Sequence, residues 1–141
     1  MKLYIVRHGE VEGAGQVIYG QADLPLSSEG RRQAADAARW FSGRKPDAIY
    51  CSDLSRTAEH ARVIAATHGL TPVADPRWRE IDMGDIENTT REEAVERFPE
   101  FARMRYHDIV HQRFPNGESM SELVARVHAA LKSIGRLARK S

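Results

Sequence analysis

The sequence predicts an α/β protein built on a mostly parallel sheet with helices on its faces. Two observations carry that expectation. Short apolar runs alternate with amphipathic helical segments through the first 70 residues, the pattern of βαβ units. The first of those runs also ends in Arg7-His8-Gly9, and open α/β sheets present ligand-binding residues at strand ends. The 141 residues, 41% hydrophobic and 29% charged, suit a single domain spanning 1–141 with one hydrophobic core.

Leu3 to Val6 is apolar and rich in β-branched residues, so it reads as a buried strand that delivers polar residues to a loop. Glu12 to Gln16 and Gly20 to Pro25 have no period and carry turn formers, which marks both as loop. From Ser27 or Ser28 as N-cap, Ala34, Ala37, Ala38 and Phe41 recur at helical spacing until Gly43. Asp47 to Ser52 is the next short strand, followed by a helix marked by Leu54, Ala58, Ala61, Ile64 and Ala65 and closed by Gly69. Pro72 to Ala74 adds a short edge strand.

A third helical stretch is expected from Thr90 to His107, with Thr89 or Thr90 as cap and an apolar set of Ala94, Val95, Phe98, Phe101 and Met104. Pro99 should break or kink it. The last helix starts at the capping box Ser119-x-x-Glu122 and buries Leu123, Val127, Leu131 and Ile134.

The 21 basic and 20 acidic residues nearly cancel, so there is no broad basic field to hold nucleic acid or an anionic membrane. An anion site has to be local. Cys51 is the only cysteine, which excludes an intramolecular disulfide and fits a reducing cytoplasm. No stretch approaches the roughly 20 apolar residues of a membrane span. His68, His107, His111 and His128 lack metal-ligand spacing on a common face, so neither a metal nor a cofactor is expected. Self-association as a homodimer stays open.

Arg7-His8-Gly9 sets a permanent cation and an imidazole beside a residue without a side chain, where backbone can approach a ligand closely. Histidine can attack phosphorus through one ring nitrogen while the other is held as a donor. Arginine supplies a planar fork for phosphate oxygens. On its own the tripeptide is weak, because a strand-terminal histidine is commonly a bystander.

Further pieces follow in order: Asp23-Leu24-Pro25-Leu26-Ser27-x-x-Gly30-x-x-Gln33-Ala34, Cys51-Ser52-Asp53-Leu54-Ser55-Arg56, Arg79-Glu80-x-x-x-Gly84-x-x-Glu87 and Gly117-Glu118-Ser119. Together these resemble the histidine phosphatase superfamily over residues 3 to about 130, a match whose ordered motifs are far more specific than any one alone. The resemblance implies a three-layer α/β/α, phosphoglycerate mutase-like fold. It also implies metal-independent hydrolysis of a small phosphorylated metabolite. In that reading His8 is the nucleophile, Arg7 and Arg56 clamp the phosphoryl oxygens, and Glu80 is the general acid, with a pKa raised by partial burial or nearby negative charge. Gly9, Glu10, Gln21 and His60 are candidate pocket residues. For Glu10 a structural loop contact is an equal alternative. His60, where the family usually has threonine, either reaches the pocket edge or packs beneath it. Gly84 and Glu87 read as scaffold for the Glu80 loop.

The sequence departs from the family pattern in two places. No apolar-apolar-Ser-His-Gly run follows the last helix, so the C-terminal strand and its second catalytic histidine are missing by that reading; His128 lies inside a helix and cannot replace it. The chain therefore reads as a truncated form of a longer protein, with rearranged or intermolecular strand pairing as the alternative. Ala14 stands where the family often has asparagine, and Gln16 or Gln21 is the candidate substitute. Two alternatives to a phosphatase remain: a phosphoglycerate mutase, and a catalytically silent phosphate-binding domain.

Overall fold

The computed structural model describes residues 2–103 and 110–137, which form two compact units. The first comprises residues 2–14 and 23–76, the second the described residues of 15–22 and 77–137.

In the first unit, helix α1 (Ser28–Phe41) starts at Ser27, whose hydroxyl accepts the Gly30 amide. This satisfies one of the orphan N–H groups of the first turn. Strand β1 (Tyr50–Cys51) leads into α2 (Ser55–Ala66), and β2 (Val73–Ala74) pairs with β1 in parallel, Tyr50 opposite Val73 and Cys51 opposite Ala74. Helix α2 lacks a cap from its own N-cap residue, Leu54. Asp23 supplies one from the preceding loop, its carboxylate accepting both the amide and the hydroxyl of Ser55 at 2.7 Å. Gly69, at φ +65°, follows the helix end, and the Leu70 amide returns to the Ala65 carbonyl, an arrangement that favours glycine. The core between the helices gathers Ala38, Phe41 and Ile64.

The expected buried strand at Leu3–Val6 is not found. These residues form no strand, and Ile5 is 88% exposed. Apolar composition records a tendency to be buried, but a central strand also needs neighbours to pair with. Among the described residues the sheet contains only β1 and β2. The segment is fixed instead through Tyr4, whose ring meets Trp40 and Phe41 of α1 edge-on at 5.9 and 5.5 Å. Further on, Val11 and Leu26 form an antiparallel bridge, and both are buried.

In the second unit, Thr90 opens α3 (Arg91–Arg97) with a complete capping box to Glu93. The break expected at Pro99 is present: Phe98 leaves helical geometry and α4 (Pro99–Arg103) starts on the proline, where its missing N–H costs nothing. The rest of the expected helical stretch, including Met104 and His107, lies outside the described residues. Helix α5 (Met120–Leu137) begins at the Ser119–Glu122 box as expected. Its expected apolar face is less buried than its periodicity implies. Leu131 is exposed, Leu123, Val127 and Ile134 are half-buried, and Ala130 is the fully buried contact. Periodicity marks which residues share a face of the helix, not how much of that face is covered. The core here is Ile81, Ile86, Ala94 and Phe114, with Ile18, Met83 and Leu123 packed on it.

Candidate active site

The first unit brings His8, Gly9 and His60 together. Nδ1 of His8 lies 2.7 Å from the Gly9 carbonyl oxygen. A carbonyl only accepts, so Nδ1 carries the proton and the lone pair of the neutral ring sits on Nε2. His8 is half-buried and Gly9 buried, while Arg7 and Glu10 are exposed. The Gly9 amide donates to Nδ1 of His60 at 3.0 Å, and the Glu10 amide donates to the Gln33 side chain at 2.8 Å. The two peptide groups flanking Gly9 are thus held by side chains from α2 and α1.

Gly9 also rests directly on the start of α1. A Cβ on Gly9 would overlap the Gly30 backbone, and a Cβ on Gly30 would overlap the Glu10 carbonyl. Glu10 turns toward the same helix start: its carboxylate accepts the Ser27 hydroxyl at 2.7 Å and its carbonyl accepts the Ser27 amide at 2.9 Å. Its contacts are therefore with the cap of α1.

Arg56 lies in the first turn of α2 and is only 1% exposed, so it is not a surface arginine. A guanidinium is rarely taken out of water without a specific use. Ser52, from the same motif, is buried and shares its hydroxyl contact with Thr57 at 2.5 Å. His60 is also buried, and its pKa is lowered, first by burial and then by the neighbouring His8.

Glu80 and Gln21 belong to the second unit. Glu80 is exposed, so the partial burial expected for a general acid is not seen. Its carboxylate accepts the Ile81 amide at 3.0 Å. Gln21 donates its side-chain amide to the Glu80 carbonyl at 3.2 Å, and its own side-chain oxygen accepts from Arg79 at 3.3 Å. Glu87 pins this loop as expected, accepting the amides of Gln21 at 2.6 Å and Met83 at 3.0 Å. Gly84, at φ +56°, sits against the backbone of Pro115 and Gly117, where no side chain fits.

Sequence reasoning missed Arg126. From α5 it donates to the carbonyls of Arg77 at 3.1 Å, Arg79 at 2.7 Å and Glu80 at 2.8 Å, and it pairs with Glu118. Glu118 in turn accepts the Asp82 amide at 3.0 Å. The one signal was Glu118 in the Gly117-Glu118-Ser119 motif, which gives no reason to look eight residues on.

The family model of the histidine phosphatase superfamily (branch 1) matches residues 3–141. The chain belongs to this superfamily. As a member of it, the chain is 40% identical over 134 residues to a "Probable phosphoglycerate mutase GpmB" of Yersinia pestis (strain Pestoides F), and equally to that of Yersinia pseudotuberculosis serotype O:1b (strain IP 31758). The match covers 94% of this chain and 62% of each relative, so the chain spans less than two thirds of their length. Among solved structures, a mycobacterial glucosyl-3-phosphoglycerate phosphatase, Rv2419c, in complex with VO3, superposes with a TM-score of 0.82 at 30% identity, covering 92% of this chain and 64% of that one. The α-ribazole phosphatase from Shigella flexneri superposes at 0.86 with 24% identity, over 95% and 67% of the two chains. The histidine phosphatase fold is therefore shared, with its small parallel sheet flanked by helices. Among the described residues, no helix is long and apolar enough to cross a membrane.

Proposed function

We propose that this histidine phosphatase hydrolyses a small phosphomonoester through a phosphohistidine on His8. The observation that carries the reading is the 2.7 Å contact of His8 Nδ1 with the Gly9 carbonyl, which puts the lone pair of the neutral ring on Nε2, the attacking nitrogen. Nε2 attacks phosphorus as the bond to the leaving oxygen breaks, and Glu80 protonates that oxygen. Water then adds to phosphorus, the P–N bond breaks, Glu80 takes up the proton released by water, and inorganic phosphate departs. Arg7 and the buried Arg56 stabilise the phosphoryl oxygens. The motif order supports these roles, and the family resemblance supports a reaction without metal.

The test is p-nitrophenyl phosphate turnover with trapping of acid-labile phosphoprotein. The label is expected on the native chain and absent from His8→Gln. Equal turnover by the two proteins would overturn the reading. A second reading, phosphoglycerate mutase-type transfer, is favoured by the 40% identity to relatives bearing that name. Formation of 2-phosphoglycerate from 3-phosphoglycerate with the bisphosphorylated activator, faster than release of phosphate, would select it.

A further inference from the structure

We propose that His60 is a positioning residue that holds His8 in its nucleophilic tautomer through Gly9; this rests on the reading of His8 above. Three contacts in series carry it. His60 Nδ1 accepts the Gly9 amide at 3.0 Å, the Gly9 carbonyl accepts His8 Nδ1–H at 2.7 Å, and the Glu10 amide, in the same peptide group as that carbonyl, donates to Gln33 at 2.8 Å. Glycine is the residue least able to hold its own backbone conformation. The acceptor that decides the His8 tautomer is therefore fixed by what grips the two peptides around it.

His60 fits this task in charge and setting. It is buried, and its Nε2 has no hydrogen-bond partner among the described residues, so packing alone would be better served by an apolar side chain. Nδ1 can accept from Gly9 only in the neutral ring with the proton on Nε2. A protonated ring would set its Nδ1–H against the Gly9 N–H and break the series. Burial and the nearby His8 both favour the neutral form.

The test is long-range ¹H–¹⁵N correlation spectroscopy of the imidazoles in the full chain, read beside phosphohistidine formation. In the native protein His8 is expected as the Nδ1–H tautomer and His60 as the Nε2–H tautomer. His60→Asn keeps an acceptor near the Nδ1 position and should preserve the His8 tautomer. His60→Gln and His60→Leu should shift His8 toward Nε2–H and lower kcat by about 10- to 100-fold with KM little changed. A native His60 protonated on Nδ1, or an unaltered His8 tautomer in a folded Gln or Leu variant, would overturn the inference. If the leucine variant does not fold, the native spectrum and the Asn–Gln pair still decide. Correct tautomers without any phosphohistidine would sink the phosphatase reading and leave the positioning role standing.

Discussion

Arg126 donates from Nη2 to the main-chain carbonyl of Glu80 at 2.8 Å. With the carbonyls of Arg77 and Arg79 on Nη1, one guanidinium fixes the path of the backbone that presents the proposed acid. An exposed carboxylate can be well placed only if its backbone is, because its own side chain makes few contacts that would hold it.

Arg126→Ala should therefore cost both stability and rate. It leaves Glu118, whose side chain is 14% exposed, without its cation, and it frees three carbonyls. Breaking such a pair costs about 2–4 kcal/mol. Urea denaturation should show that loss, and kcat should fall more than KM rises. An unchanged midpoint would contradict the role assigned to Arg126.

The same pair predicts an acid dependence. Burial alone would raise the Glu118 pKa, but hydrogen bonds from Arg126 and the Asp82 amide, with the Arg126 charge, outweigh it and leave the carboxyl below its ordinary 4.5. A lowered folded pKa means the unfolded chain binds more protons. The contribution is then complete above about pH 4.5 and disappears as pH falls through the folded value. The stability gap between the native protein and Glu118→Gln should be constant near neutrality and close below about pH 4.5. His60, also lowered, acts in a higher window. Its neutral form is fully stabilising above about pH 6.5, and stability falls as pH drops below that. His60→Asn should flatten the slope there.

Gly30→Ala separates two opposed effects. Alanine is the better helix former by about 1 kcal/mol, which would stabilise α1. Its Cβ, however, would overlap the Glu10 carbonyl, and forced overpacking costs about 1–3 kcal/mol or more. Net destabilisation in thermal melts, with loss of phosphatase activity, is expected. A raised Tm would show that the two segments separate easily.

Asp23→Ala removes the acceptor for the Ser55 amide and hydroxyl at the start of α2. A lost N-terminal cap costs about 1 kcal/mol. Asp23→Asn should recover most of it. If the two variants melt together, the carboxylate is not serving as the cap.

Features governed by local chemistry were legible in the sequence. The helix starts, narrowed to Ser27 or Ser28 and to Thr89 or Thr90, the break at Pro99 and the Ser119–Glu122 box all depend on contacts within one turn, so residue type and spacing suffice. The order of the motifs also pointed to His8, Arg56 and Glu80 and to the superfamily. What could not be read depends on distant main chain. Arg126 acts on carbonyls 46 to 49 residues upstream, which carry no side-chain signature. His60 meets the Gly9 amide across 51 residues, and a histidine on an apolar helix face looks the same whether it packs or accepts. Leu3–Val6 misled for a related reason, since hydrophobicity says nothing about whether a pairing strand is present.

The contacts of Gly9 bear on how this scaffold could be recombined. It touches Gly30 of α1 and is gripped by His60 of α2, while the next residue binds Ser27 and Gln33. No single helix here is an exchangeable module. A chimera that imports α1 from a relative without the matching residues 9–10, or α2 without the matching residue at 60, would join parts whose interlocking surfaces came from different ancestors. Exchanges in this half of the chain should therefore succeed only when the loop and both helices travel together.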